Sequence, residues 1–227
     1  MNQPRAVMPA LAAMILACGA PLAAQAPSGP VANARLRLHL ITMVQADQAA
    51  RMEMVKQMKA HGSIAGISKT AATAMAKVDT SDLKAMKRIV RRYGWPTIPM
   101  VGRDGAHDAW LLVQHADKDP RFQMQCLGLM QRAFTHRGVD GIDVAYLTDR
   151  VRKAQHERQL YGTQATFHGG TIVLDPVEDP ANLDKRRARL GMGTEAQYLK
   201  QMAQVYGLAV GSKAGVRTNG GTAGKKR

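Results

Sequence analysis

Gln114, His115 and Asp117 stand at the end of a run, Ala106 to Ala116, that is apolar around nearly its full circumference. Polar groups at the end of a stretch destined for burial must be partnered or used, because an unpaired buried donor or acceptor is costly. An imidazole oriented by a carboxylate can take a proton from water, and a neighbouring arginine can stabilise the anion that results. Asp149-Arg150 and the stretch Gln159-x-Tyr161-Gly162-Thr163-Gln164 hold the residues that could converge on His115 for that purpose. Upstream, Asp47 and Arg51 stand four apart, within the helical arc of Leu40, Val44, Val55 and Met58, so the pair is expected to be at least partly buried. Desolvation offsets much of the attraction in a buried ion pair, and further groups are expected to join it. The plainer alternatives are a pair that fixes helix register and a satisfied core histidine.

Other chemistries lack their patterns. There is no Gly-x-Ser-x-Gly elbow and no His-Glu-x-x-His, and His107 and His115 are too far apart on one helix to share a metal. No metal and no cofactor is expected. Cys126 shares a helical face with Phe122, Leu129, Met130 and Ala133, which reads more simply as a small buried hydrophobe than as a nucleophile.

These residues need a scaffold, and 227 residues with 45% apolar content suffice for one domain with a real core. Aromatics are only 4% while methionines number 14, so the core is expected to be aliphatic and thioether-rich. Ala34 to Ala60 reads as a long helix stopped by Gly62. Ser81 to Tyr93 reads as an amphipathic helix with Leu83, Met86, Ile89 and Val90 inside. Ser63 to Lys77, between them, has no clear period. Ala106 to Ala116 is the expected central helix. Asp119-Pro120 opens another, ending at Gly138, and one more runs from about Gly141 to His156. Leu160 to Leu174 carries alternating residues around Gly169-Gly170 and predicts a two-stranded hairpin. Asp179-Pro180 starts a helix that stops at Gly191, and Thr194 with Gln197 forms a capping box for the last, ending near Gly207. The fold class is therefore mainly α, a single helical domain over 31–206 with one small β-hairpin near 160–174.

The ends carry different information. Met1 to Arg5 followed by the uncharged Ala6 to Ala17 is a signal-peptide pattern. Two cuts compete: a lipoprotein signal over 1–17, with Cys18 lipidated after Ile15-Leu16-Ala17, or an ordinary signal peptide over 1–26 ending at Ala24-Gln25-Ala26. Residues 207–227 read as a disordered, basic, glycine-rich tail. The expected address is the periplasm, an outer-membrane lipid anchor, or secretion.

A formal charge of +15 implies anionic partners. Nucleic acid is not expected, since no zinc finger, RNA-binding signature or basic-aromatic interleaving occurs. In the envelope the available polyanions are anionic polymers and the membrane surface. Lys84, Lys87, Arg88, Arg91 and Arg92 read equally as a merely solvated face.

Several blocks in order resemble one bacterial family. They are Asp47-Gln48-x-x-Arg51, Gly94-Trp95-Pro96, Gly105-Ala106-x-x-Ala109-Trp110 through Gln114-His115-Ala116-Asp117, Phe122-Gln123, Tyr146-Leu147-x-Asp149-Arg150 and Gln159-x-Tyr161-Gly162-Thr163-Gln164. Pro176 to Asp179, Asp184, Arg186-Arg187 and Leu190-Gly191 continue the pattern, which spans roughly Leu36 to Met202 and leaves out Ser63 to Lys77 and the tail. The chain thus resembles the domain-of-unknown-function family DUF6624. The resemblance implies a mostly helical fold with a small hairpin, and hallmark polar residues, but no activity.

The expectation is an exported envelope protein with a binding or scaffolding role, in which Asp47, Arg51, Gln114, His115, Asp149, Arg150, Gln159, Tyr161 and Gln164 contribute to one polar pocket. The alternative is a metal-independent hydrolase acting on an anionic envelope component, with His115 as general base and Asp117, Asp149 and Arg150 in support.

Overall fold

The computed structural model describes residues 31–62, 64–168 and 170–211. The signal segment, Cys18 and residues 212–227 of the expected tail lie outside the described residues. The described chain is mainly helical, with seven α-helices and a small mixed sheet of three strands.

The first helix, α1 (Ala34–His61), is capped by the Asn33 side chain, which accepts from the Leu36 N–H, and ends at Gly62 in the left-handed region. A single 3-10 turn, Ile64–Gly66, leads to α2 (Lys69–Tyr93), whose N-cap Ser68 accepts from the Ala71 N–H. That helix starts well before Ser81, through the stretch that has no clear period. Alanines dominate there, and they favour helix without needing a buried stripe; of the first two turns only Ala71 is buried.

The central helix, α3 (Ile98–Gln114), packs against α1, α2, α4 and α5. It begins earlier than Ala106 because Gly102, at φ 79 and ψ 167, joins a short N-terminal turn to the main helix through a kink. Ala109 to Gln114 are all buried, as expected for a helix surrounded on every side.

Next come α4 (Pro120–Phe134), capped by Asp119 with proline at its start, and α5 (Gly141–Ala154). The hairpin is shorter than its sequence pattern: β1 (Ala165–His168) pairs antiparallel with β2 (Thr171–Leu174), while Leu160 to Gln164 form a loop instead of strand. A 3-10 turn, Pro180–Asn182, precedes a short α6 (Leu183–Ala188), so the segment opened by Asp179-Pro180 is only partly α-helical. The capping box of Thr194 and Gln197 opens α7 (Glu195–Tyr206). A two-residue strand, β3 (Ala209–Val210), then pairs parallel with β2, within the stretch that composition assigns to the tail.

Candidate functional site

Three groups of buried polar side chains emerge, each with its own hydrogen bonds, and the charge of Arg150 in the third acts on His115 in the first. In the first, Arg51 Nε donates to Asp47 Oδ1 at 2.9 Å and Arg51 Nη2 to Asp79 Oδ1 at 2.5 Å. His115 Nδ1 lies 3.0 Å from Asp47 Oδ2, and the Gln48 amide donates to the same oxygen at 2.8 Å. Asp47 and Arg51 are both essentially sealed from solvent. Three helices, α1, α2 and α3, therefore meet on one ion network. The expected pair exists and is joined by Asp79 and His115, as desolvation demands.

Electrostatics fix the protonation of this cluster. Burial, with the charge of Arg51, depresses the His115 imidazole to about 4 against the pull of Asp47. Its ring is therefore neutral near pH 7, carries its proton on Nδ1 and donates to Asp47. Asp47 is held below the usual carboxylate range, because the bond from His115 and the charge of Arg51 outweigh its burial. Asp82 behaves in the opposite way. Burial first, then the negative charges of Asp47 and Asp79, raise it to about 7.

The second group is a clamp on the loop after α5. Asp149 accepts from the backbone N–H groups of Leu160 at 2.7 Å and Thr163 at 3.0 Å, from the Tyr161 N–H, and from the Thr163 hydroxyl at 2.9 Å. Gln159 donates to the carbonyls of Gln164 and Asp175 and accepts from the Gln164 N–H. The Gln164 amide donates to Thr163 Oγ1. Tyr161 enters through its backbone. Gly162 completes the turn at φ 60, where an added Cβ would lie 3.2 Å from Leu183 and 3.3 Å from Leu174. Here the nominated residues are engaged in holding the main chain.

The third group joins α3, α4 and α5. Arg150 Nε lies 3.4 Å from Asp117 Oδ1, and the Gln123 amide donates to Asp117 and to the Val113 and Gln114 carbonyls. The Gln114 amide, His115 Nε2, Arg150 Nη2 and Gln164 Oε1 are buried without a protein hydrogen-bond partner among the described residues. Such atoms are ordinarily met by internal water.

A solvent-reachable cleft of about 620 Å³ lies elsewhere, between α3, α5 and the α6–α7 segment. His107, Trp110, Asp143, Tyr146, Arg103 and Arg187 line it, and none of the residues nominated from sequence does. His107 Nδ1 is 3.0 Å from Asp143 Oδ1, and the Trp110 ring centroid sits 4.8 Å from that of His107. Burial disfavours the His107 cation, but the hydrogen bond and charge of Asp143, with Asp108 and Asp140 behind, raise its pKa above the ordinary value. Arg187 connects this cleft to the clamp: Nη1 donates to the Tyr161 carbonyl at 2.7 Å, and Nε to that of Gly193 at 2.6 Å. Two sequence signals could have pointed here: a polar His107 inside an apolar helix, and Asp143 and Tyr146 three apart on α5.

The model of a family described as "Family of unknown function (DUF6624)" matches residues 34–211. The chain belongs to this family. No curated protein and no solved structure matches it. The DUF6624 match begins at the first residue of α1 and closes just after β3, so it takes in the ion network, the clamp and the cleft together.

Proposed function

We propose that this DUF6624 protein is an exported envelope protein that binds a small anionic ligand in the cleft between α3, α5 and the α6–α7 segment. The carrying observation is the cleft itself: about 620 Å³, with the cation-forming side chains of His107, Arg103 and Arg187 beside the aromatic surfaces of Trp110 and Tyr146. A few convergent polar groups in a concave, partly apolar site are what a ligand pocket requires. The Asp149 clamp supports this reading indirectly, since it holds the carbonyls on which Arg187 rests. With His115 3% exposed at its side chain and bonded to Asp47, hydrolysis is better carried by a histidine that a substrate can reach.

Export rests on the N-terminal pattern of the sequence. Among the described residues no helix is long and apolar enough to cross a membrane. Palmitate labelling of cells should mark the wild type and not a Cys18→Ser form if the lipoprotein cut is used. An unlabelled wild type leaves the ordinary signal peptide.

The binding test is a thermal-shift series with phosphate, succinate and anionic envelope fragments. A ligand that binds only the folded state raises the apparent melting temperature by mass action. Arg187→Met and Arg103→Gln should reduce the shift. Identical shifts in wild type and both variants would dismiss the cleft as the binding site.

A further inference from the structure

We infer that His107, oriented by Asp143, is a general base that activates water against a carboxylic ester bearing a separate anionic group. This rests on the cleft being the ligand site. With Nδ1 donating to Asp143 at 3.0 Å, the neutral ring presents its lone pair on Nε2, which makes no hydrogen bond to protein among the described residues. The side chain is 29% exposed while that of Asp143 is 5% exposed, so the carboxylate is held inside and the ring reaches the cleft. Trp110, packed at 4.8 Å, fixes the position of the imidazole. This is a base oriented by a third group and open to substrate, the arrangement that His115 lacks.

The remaining lining completes the chemistry. Tyr146 follows Asp143 by one helical turn and lines the same cleft; burial pushes its phenol up to about 12, so it is a neutral O–H donor. Arg103 at the rim, paired with Asp140 at 2.8 Å, and Arg187 deeper in select a substrate that carries negative charge away from the scissile bond. The charged and titratable groups around His107 are thus Asp143, Asp140 and Tyr146 from α5 and its cap, Asp108 and Arg103 from its own helix, and Arg187 and Tyr198 from the α6–α7 wall.

In the proposed step the oxygen of a water molecule bonds to the ester carbonyl carbon while one of its protons passes to His107 Nε2. The carbonyl becomes an oxyanion that accepts from the Tyr146 hydroxyl. Collapse breaks the bond to the leaving alkoxide, which takes the proton back from His107. The products are a carboxylic acid, which ionises, and an alcohol, and no other reactant is needed.

The test uses the full chain with 4-nitrophenyl hemisuccinate as the anionic ester and 4-nitrophenyl acetate as the uncharged comparison. Binding is measured separately by calorimetry with 4-nitrosuccinanilic acid, whose amide resists hydrolysis. Expected are turnover of the hemisuccinate in preference to the acetate, at least a 100-fold loss of kcat in His107→Gln with KM little changed, and no loss in His136→Gln, an exposed histidine. The rate should rise with pH through the His107 titration, and Asp143→Asn should move that midpoint down. This profile keeps the inference testable if His107→Gln fails to fold. If the anilide binds but turnover is absent, or survives His107→Gln, the catalytic inference is wrong while the binding reading stands. If the anilide does not bind, the cleft reading fails for this ligand class as well.

Discussion

His115 and Asp47 lie 68 residues apart in sequence, yet Nδ1 and Oδ2 meet at 3.0 Å between α3 and α1. Replacing His115 by Ala strips Asp47 of one donor and should cost about 1–3 kcal/mol in urea denaturation. The pH dependence gives a sharper result. With the folded imidazole depressed to about 4, the unfolded chain takes up a proton near pH 6.5 that the native state refuses. The contribution is present above pH 6.5 and falls away toward pH 4, on the order of 3 kcal/mol, and His115→Gln should abolish this part of the profile.

Asp82 titrates with the opposite sign. Its folded carboxyl is raised to about 7, so the native state keeps a proton that the unfolded chain releases near pH 4. Stability from this group therefore declines as pH rises from about 4 to about 7. Asp82→Asn should leave stability unchanged at pH 4 and raise it on the order of 4 kcal/mol at pH 8. Equal stability of the two proteins at both pH values would show that the carboxyl is not perturbed.

The Asp149 clamp should be expensive to remove. Asp149→Ala leaves the N–H groups of Leu160, Tyr161 and Thr163 without their acceptor, and a loss on the order of 3 kcal/mol or more is expected. Asp149→Asn, which keeps one acceptor oxygen, should lose less. Amide exchange should accelerate first at residues 160–163, and ligand affinity in the cleft should fall with it, because Arg187 rests on the Tyr161 and Gly162 carbonyls.

Cys126 should be inert in the native protein. It is fully buried, and burial pushes its thiol up to about 12. A Cys18→Ser form treated with a thiol-reactive disulfide at pH 8 should label only in denaturant; rapid labelling of the folded protein would contradict the packing of α4.

The features legible in the sequence were those with a local period. Asp47 and Arg51 share a face of α1, and burial of that face follows from Leu40 and Met58 alone. The capping box of Thr194 and Gln197 was readable for the same reason. Asp79 was not, because the first half of α2 is built on alanine and shows no stripe. The His107–Asp143 pair spans 36 residues and two helices, and spacing carries no information about that crossing. Asp149 is expected from the sequence as a partner of His115, whereas the structure engages it mostly with main-chain N–H groups of residues 160–163, which no residue type announces.

The parallel pairing of β3 with β2 has a practical side for anyone trimming the chain. A boundary set at Gly207 would discard the Gly211 N–H donated to the Ile172 carbonyl and the Ala209 N–H donated to Gly170, exposing the far edge of the hairpin to other molecules. Shortened versions intended for crystallisation should therefore run through Gly211, and an affinity handle placed earlier invites aggregation.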